Sequence, residues 1–149
     1  MRSDSRITAG EPNTVELRFG ANPENLALAR LALAGVGTLA GASDVAIADL
    51  KLAVTEACTN AIQHAYVSGA PGATTVAVRY RVAPGALEVE IEDDGRGFDP
   101  GDPGASSSEN GQNQGMGLMI IRSLTDEITI ESDESGSRIA FTKRVGRSE

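Results

Sequence analysis

At 149 residues, 40% hydrophobic, with Lys+Arg 13 against Asp+Glu 21 for a net charge of -8, the chain fits one globular domain, 1–149, and its acidity disfavours nucleic-acid backbones and anionic membranes as direct partners. No apolar run approaches the ~20 residues of a membrane span and the opening is too polar for a signal peptide, which points to the cytoplasm. Single Cys58 and His64 residues exclude an internal disulfide framework and the usual Cys or His metal cages, leaving carboxylates, amides, glycines and a bound cofactor to carry any chemistry.

Residues 1–12 read as a flexible N-terminus. Over 14–20, Val15, Leu17 and Phe19 alternate with Glu16 and Arg18, the period of a half-buried strand. Asn22 then offers a helix N-cap and Pro23 the first helical position, with Leu26, Ala29, Leu33 and Val36 at helical spacing and Gly35, Gly37 and Gly41 closing the helix. Ser43 caps a longer helix along which Ile47, Leu50, Val54, Ala57 and Ala61 form an apolar stripe. The glycines and proline of 67–72 break it. Strands follow over 75–82 and 87–93, joined by the turn 83–86. If Val82 stands opposite Leu87, Arg81 faces Glu88 and Arg79 faces Glu90, each exposed pair worth ~0.2–1 kcal/mol.

Residues 94–114 are Gly, Ser, Asn, Asp, Pro and Gln with few apolar side chains, and a loop of that length inside a compact domain is usually a functional lid or disordered. A helix resumes over 115–124, with Leu118, Ile121 and Leu124 inward. Two last strands, 127–132 and 138–145, precede a flexible C-terminus at 146–149. Helices grouped on one face of a mixed, mainly antiparallel sheet give an α+β, two-layer α/β sandwich.

Three groups of residues carry chemistry. Glu56 and Asn60, four apart on the long helix, share a face; an ordinary polar helix edge would look the same, but an amide oxygen also suits Mg²⁺ and a carboxylate one turn away suits a general base. Asp93-Asp94-Gly95-Arg96-Gly97 ends a strand, where a carboxylate can accept a hydrogen bond from an exocyclic amine such as that of adenine, and the two glycines admit a flat ligand close to the backbone. Gly115-Met116-Gly117-Leu118 opens a helix, where free backbone N–H groups suit phosphate.

In this order the three segments resemble the N box and the two glycine boxes of the GHKL (histidine-kinase-like) ATPase superfamily, over nearly the whole chain from Val15 to Lys143. The form Thr55-Glu56-Ala57-Cys58-Thr59-Asn60-Ala61, followed by His64-Ala65-Tyr66, is similar to bacterial anti-sigma factor serine kinases. The resemblance implies that Asn60 coordinates the Mg²⁺ of ATP and that Glu56 takes the proton of an incoming serine. Asp93 would bind the adenine amino group with Ser137 assisting it, and Gly95 and Gly97 would give the base room. Gly115, Met116, Gly117 and Leu118 would form the phosphate segment, and 94–114 the lid. Arg30 matches a position that faces protein partners.

The implied activity is an ATP-dependent protein serine kinase and anti-sigma factor that sequesters a sigma factor and phosphorylates a STAS-type anti-anti-sigma protein, working as a homodimer. An ATP-gated binding module without phosphoryl transfer is the alternative. Between Arg96 and Arg122 the chain has no Lys or Arg, so the lid brings no cation of its own to the γ-phosphate, and Mg²⁺, backbone amides, Arg122 or a partner must supply that charge.

Overall fold

The computed structural model describes residues 6–8, 13–67, 74–94, 117–133 and 136–145. Their order is β1 (Arg6–Thr8), β2 (Thr14–Gly20), α1 (Leu26–Leu39), α2 (Asp44–Val67), β3 (Thr75–Ala83), β4 (Ala86–Asp93), α3 (117–124), β5 (Glu127–Asp133) and β6 (Gly136–Arg144). The strands form one six-stranded sheet, β1-β2-β3-β4-β6-β5.

The expected mixed sheet narrows to antiparallel pairing throughout, among the described residues. Topology gives the reason. Two helices between β2 and β3 reverse the chain so that β3 returns antiparallel, and β6 inserts between β4 and β5, the strands that a one-helix crossover leaves parallel.

The N-terminal expectation also needs correcting. Residues 6–8 of the stretch read as flexible form β1, paired as Arg6↔Arg18, Ile7↔Leu17 and Thr8↔Glu16. That pairing satisfies the backbone groups of an otherwise open β2 edge, which no side-chain pattern in a three-residue segment announces. The first helix starts differently too: Pro23–Asn25 make a 3-10 turn, and Asn22 forms no side-chain cap. The Asn25 amide donates instead to the Gly20 carbonyl at 2.9 Å. α1 continues through Gly35 and Gly37 because Gly37 is where it meets α2; a Cβ there would lie 2.9 Å from Ile47 Cγ1. Ser43 caps α2 as expected, its Oγ accepting the Ala46 N–H at 3.1 Å.

Period-two alternation sorts the sheet into two faces. Leu17, Phe19, Val76, Val78, Tyr80, Leu87, Val89, Ile91, Ile139 and Phe141 are buried beneath the helices, with Leu33, Leu50, Val54, Ala57 and Ile121 in the same core. The Tyr80 hydroxyl donates to the Ala29 carbonyl at 2.6 Å, tying β3 to α1. The opposite face is ionic. Val82↔Leu87, Arg81↔Glu88 and Arg79↔Glu90 pair as the charges predicted; Arg81 reaches Glu88 at 2.6 Å, and Glu90 accepts from both Arg79 and Arg138.

Cys58 lies wholly within this core, and burial pushes its thiol from 9.0 up to about 12. Tyr80 is pushed the same way, by burial and then by Cys58. A raised folded-state value gives stabilisation that is complete below the unfolded value near 9 and is lost as pH rises toward 12. Stability to urea is therefore expected to fall above about pH 9, by at most ~1.4 kcal/mol per pH unit from Cys58. Cys58→Ala should reduce that slope; an unaltered slope would contradict the assignment.

Candidate nucleotide site

α2 positions two of the polar residues. Its core-facing stripe includes Leu50, Ala53, Val54, Ala57, Cys58 and Ala61, and helical geometry sets Glu56 and Asn60 along the border of that stripe. Asn60 is 6% exposed, and Glu56 is half-buried. Among the described residues, no side-chain hydrogen bond engages Asn60, so its amide retains donors and acceptor for a ligand.

Gly117, the first described residue of α3, lies against this pair. A Cβ on it would stand 3.1 Å from Glu56 Oε1 and 3.7 Å from Asn60 Oδ1. Glycine therefore lets the backbone at the start of α3 approach both groups. Leu118 is half-buried against the core, so its side chain helps seat the helix.

The second cluster comes from the same alternation that builds the core. Leu87, Val89, Ile91 and Asp93 share one face of β4, and Asp93 is the buried polar end of that row, 6% exposed. Opposite it on β6 stands Ser137, whose hydroxyl donates to Asp93 Oδ2. Asp94 serves the frame: its Oδ1 accepts the Thr75 N–H at 2.8 Å, and its own N–H donates to the Thr75 carbonyl at 3.2 Å.

Sequence reasoning missed Gly136. Its φ is +145°, and a Cβ there would fall 2.0 Å from the Asp93 carbonyl oxygen. The signal was present in Ser135-Gly136-Ser137, a glycine beside the Ser137 that the resemblance already selected.

Topology puts the two clusters at one rim. β2 ends there, β3 begins there, β4 ends at Asp93, β6 begins at Gly136, and α2 runs toward the same end. Gly95, Gly97, Gly115 and Met116 lie outside the described residues, as does the expected lid apart from Asp94. Arg30 is exposed on α1, with Nη1 3.4 Å from Thr55 Oγ1, the α2 residue before Glu56. Arg122 is exposed on α3. Among the described residues, no cluster of three acidic, His or Cys side chains could cage a metal alone, and no helix is long and apolar enough to cross a membrane.

The histidine kinase-like ATPase domain matches residues 19–143, from β2 to the end of β6. The chain belongs to that family. Among histidine kinase-like ATPases, the serine-protein kinase RsbW of Bacillus licheniformis is 38% identical over 141 residues, covering 89% of this chain and 86% of that protein. RsbW of Bacillus subtilis is 36% identical over 138 residues, 87% of this chain and 84% of that protein. The crystal structure of the RsbU and RsbW domains of Rv1364c from Mycobacterium tuberculosis shares the fold, with a TM-score of 0.65 at 21% identity, over 94% of this chain and 34% of that longer one. The Erythrobacter litoralis EL346 blue-light activated histidine kinase matches 70% of this chain and 32% of its own, with a TM-score of 0.54 and 26% identity. Histidine kinase-like ATPases thus include both serine and histidine kinases, and the curated relatives above are serine kinases.

Proposed function

We propose that this chain is an ATP-dependent protein serine kinase and an anti-sigma factor, which sequesters a sigma factor and phosphorylates a STAS-type anti-anti-sigma protein on serine. The observation that carries the reading is the pairing, at one rim, of a general-base candidate beside a glycine-opened helix with a buried carboxylate suited to an exocyclic amine. The RsbW relatives support the serine as acceptor.

In this reading Asp93, oriented by Ser137, accepts a hydrogen bond from the adenine amino group, and Gly95 and Gly97 leave space for the ring. Gly115, Met116, Gly117 and Leu118 carry the phosphate segment, with residues 94–114 as the lid. Asn60 is the protein ligand for Mg²⁺; that ion, when bound, neutralises charge on the phosphates. A single amide ligand fits Mg²⁺, which is commonly held by one or two protein groups together with substrate phosphates. Glu56 accepts the serine Oγ–H proton as the serine oxygen bonds to the γ-phosphorus and the bond from that phosphorus to the β,γ-bridging oxygen breaks, releasing ADP.

The protein partners meet α1, where Arg30 is exposed beside Leu31, 73% exposed. The active form is a homodimer and the compartment is the cytoplasm. Incubating the protein with Mg-[γ-³²P]ATP and STAS-domain proteins of the same organism tests the reading. Acid-stable phosphoserine on one acceptor is expected. Mg-ATP binding without any labelled acceptor would replace the kinase by an ATP-gated binding module.

A further inference from the structure

The core-facing row of β6 holds one residue that packing does not require. Ser137, Ile139, Phe141 and Lys143 alternate along it, opposite Asp93, Ile91, Val89 and Leu87 of β4. Ile139 and Phe141 are buried, and Ser137 meets Asp93. Lys143 completes the row with its side chain 18% exposed. A lysine in such a row is costly unless its ammonium finds partners.

Its partners belong to the two helices that carry the candidate site. Nζ donates to the Leu124 carbonyl at 2.9 Å and stands 3.5 Å from Asp49 Oδ2. Leu124 closes α3, where a cation is favourable for the helix dipole. Asp49 precedes Glu56 by seven residues, two turns of α2, on the same side of the helix. α3 therefore runs antiparallel along α2, with Gly117 at one end against Glu56 and Asn60 and Leu124 at the other tied through Lys143 to Asp49.

Between those ends α2 carries buried Leu50, Ala53, Val54, Ala57 and Cys58, and α3 sets Ile121 into the same core. That apolar contact holds α3 on the core but is non-directional, so a polar tie adds what it lacks, a fixed position along α2. Neighbouring bonds do not replace the lysine: Asp126 N–H to the Thr142 carbonyl and Arg144 N–H to Asp126 Oδ2 fasten the segment after α3 to β6 and do not reach α2. Among the described residues, Lys143 makes the ion pair that reaches α2 from β6.

We propose that Lys143 is a positioning residue for phosphoryl transfer: it fixes α3 along α2 and so holds the Gly117 backbone at its distance from the Glu56 carboxylate. The role rests on the kinase reading above. One residue of helical slip is ~1.5 Å, and a displacement near 1 Å at reacting groups costs up to ~10²-fold in rate.

The test compares wild type, Lys143→Met, Lys143→Arg and Asp49→Asn, with Mg-[γ-³²P]ATP and a STAS-domain acceptor. Lys143→Met is expected to lose at least about tenfold in kcat while adenosine affinity stays within about twofold, because Asp93 and Ser137 are untouched. Lys143→Arg should recover most of the rate, and Asp49→Asn should fall between. In the nucleotide-free protein, amide hydrogen exchange over 118–124 should accelerate at least about fivefold in Lys143→Met, as expected for local loosening, without a matching rise in β3 and β4. Wild-type kcat in Lys143→Met overturns the role alone. Parallel losses of kcat, adenosine affinity and protection throughout the core would make Lys143 a general stability residue and overturn it as well. A wild-type protein that binds Mg-ATP but phosphorylates no acceptor overturns the kinase reading and this role with it.

Discussion

Glu56→Gln is expected to lower phosphoryl transfer by ~10²–10⁴-fold, the usual contribution of a positioned general base, with Mg-ATP affinity within about twofold of wild type. Gln matches Glu in size, so the contact with Gly117, where a Cβ would already lie 3.1 Å from Oε1, is preserved. What the change removes is a group able to take the serine proton. Single-turnover transfer together with nucleotide titration by calorimetry separates the two quantities. A variant that transfers at the wild-type rate would assign the base to another residue; one that loses nucleotide binding and transfer together would make Glu56 a binding group.

The sheet face that carries charge was legible because each inference was local. Arg81 and Arg79 could face Glu88 and Glu90 in one hairpin register, and β3 and β4 adopt it. Ser43 was a cap in the sequence and is one in the fold. Asn22 was not, because the chain enters through a 3-10 turn and Asn25 takes up the Gly20 carbonyl. β1 was hidden for a different reason: its pairing depends on the exposed edge of a strand formed elsewhere, and three residues cannot display a period.

The site divides in the same way. Glu56, Asn60 and Asp93 were legible as residue types in an ordered set of motifs. That Asp93 should be buried follows from strand alternation, since it continues the row of Leu87, Val89 and Ile91. The contact of Gly117 with Glu56 and the span of Lys143 between Leu124 and Asp49 join segments distant in sequence. No spacing within one segment encodes them; they arise when β6 is laid beside β4 and α3 along α2.

Gly136→Ala is expected to strike the adenine end of the site harder than removal of the Ser137 hydroxyl. An Ala Cβ would sit 2.0 Å from the Asp93 carbonyl oxygen and 3.3 Å from Asp94 Cα, both backbone atoms that cannot rotate aside. The φ of +145° is a second obstacle, because it is essentially a glycine conformation. The strands must therefore separate at the point where Ser137 pairs with Asp93. Strain and overpacking together should cost about 2–4 kcal/mol of stability, and displacement of the carboxylate should weaken ATP binding by ~10²-fold, about 2.7 kcal/mol. Ser137→Ala keeps the backbone and loses one hydrogen bond to a carboxylate that the β4–β6 pairing still holds in place, so ATP binding should weaken by only about tenfold, ~1.4 kcal/mol. Urea denaturation and calorimetric ATP titration of both variants distinguish the effects. Wild-type ATP affinity in Gly136→Ala, even with reduced stability, would mean that the β4–β6 end relaxes without moving Asp93, and would remove Gly136 from the site.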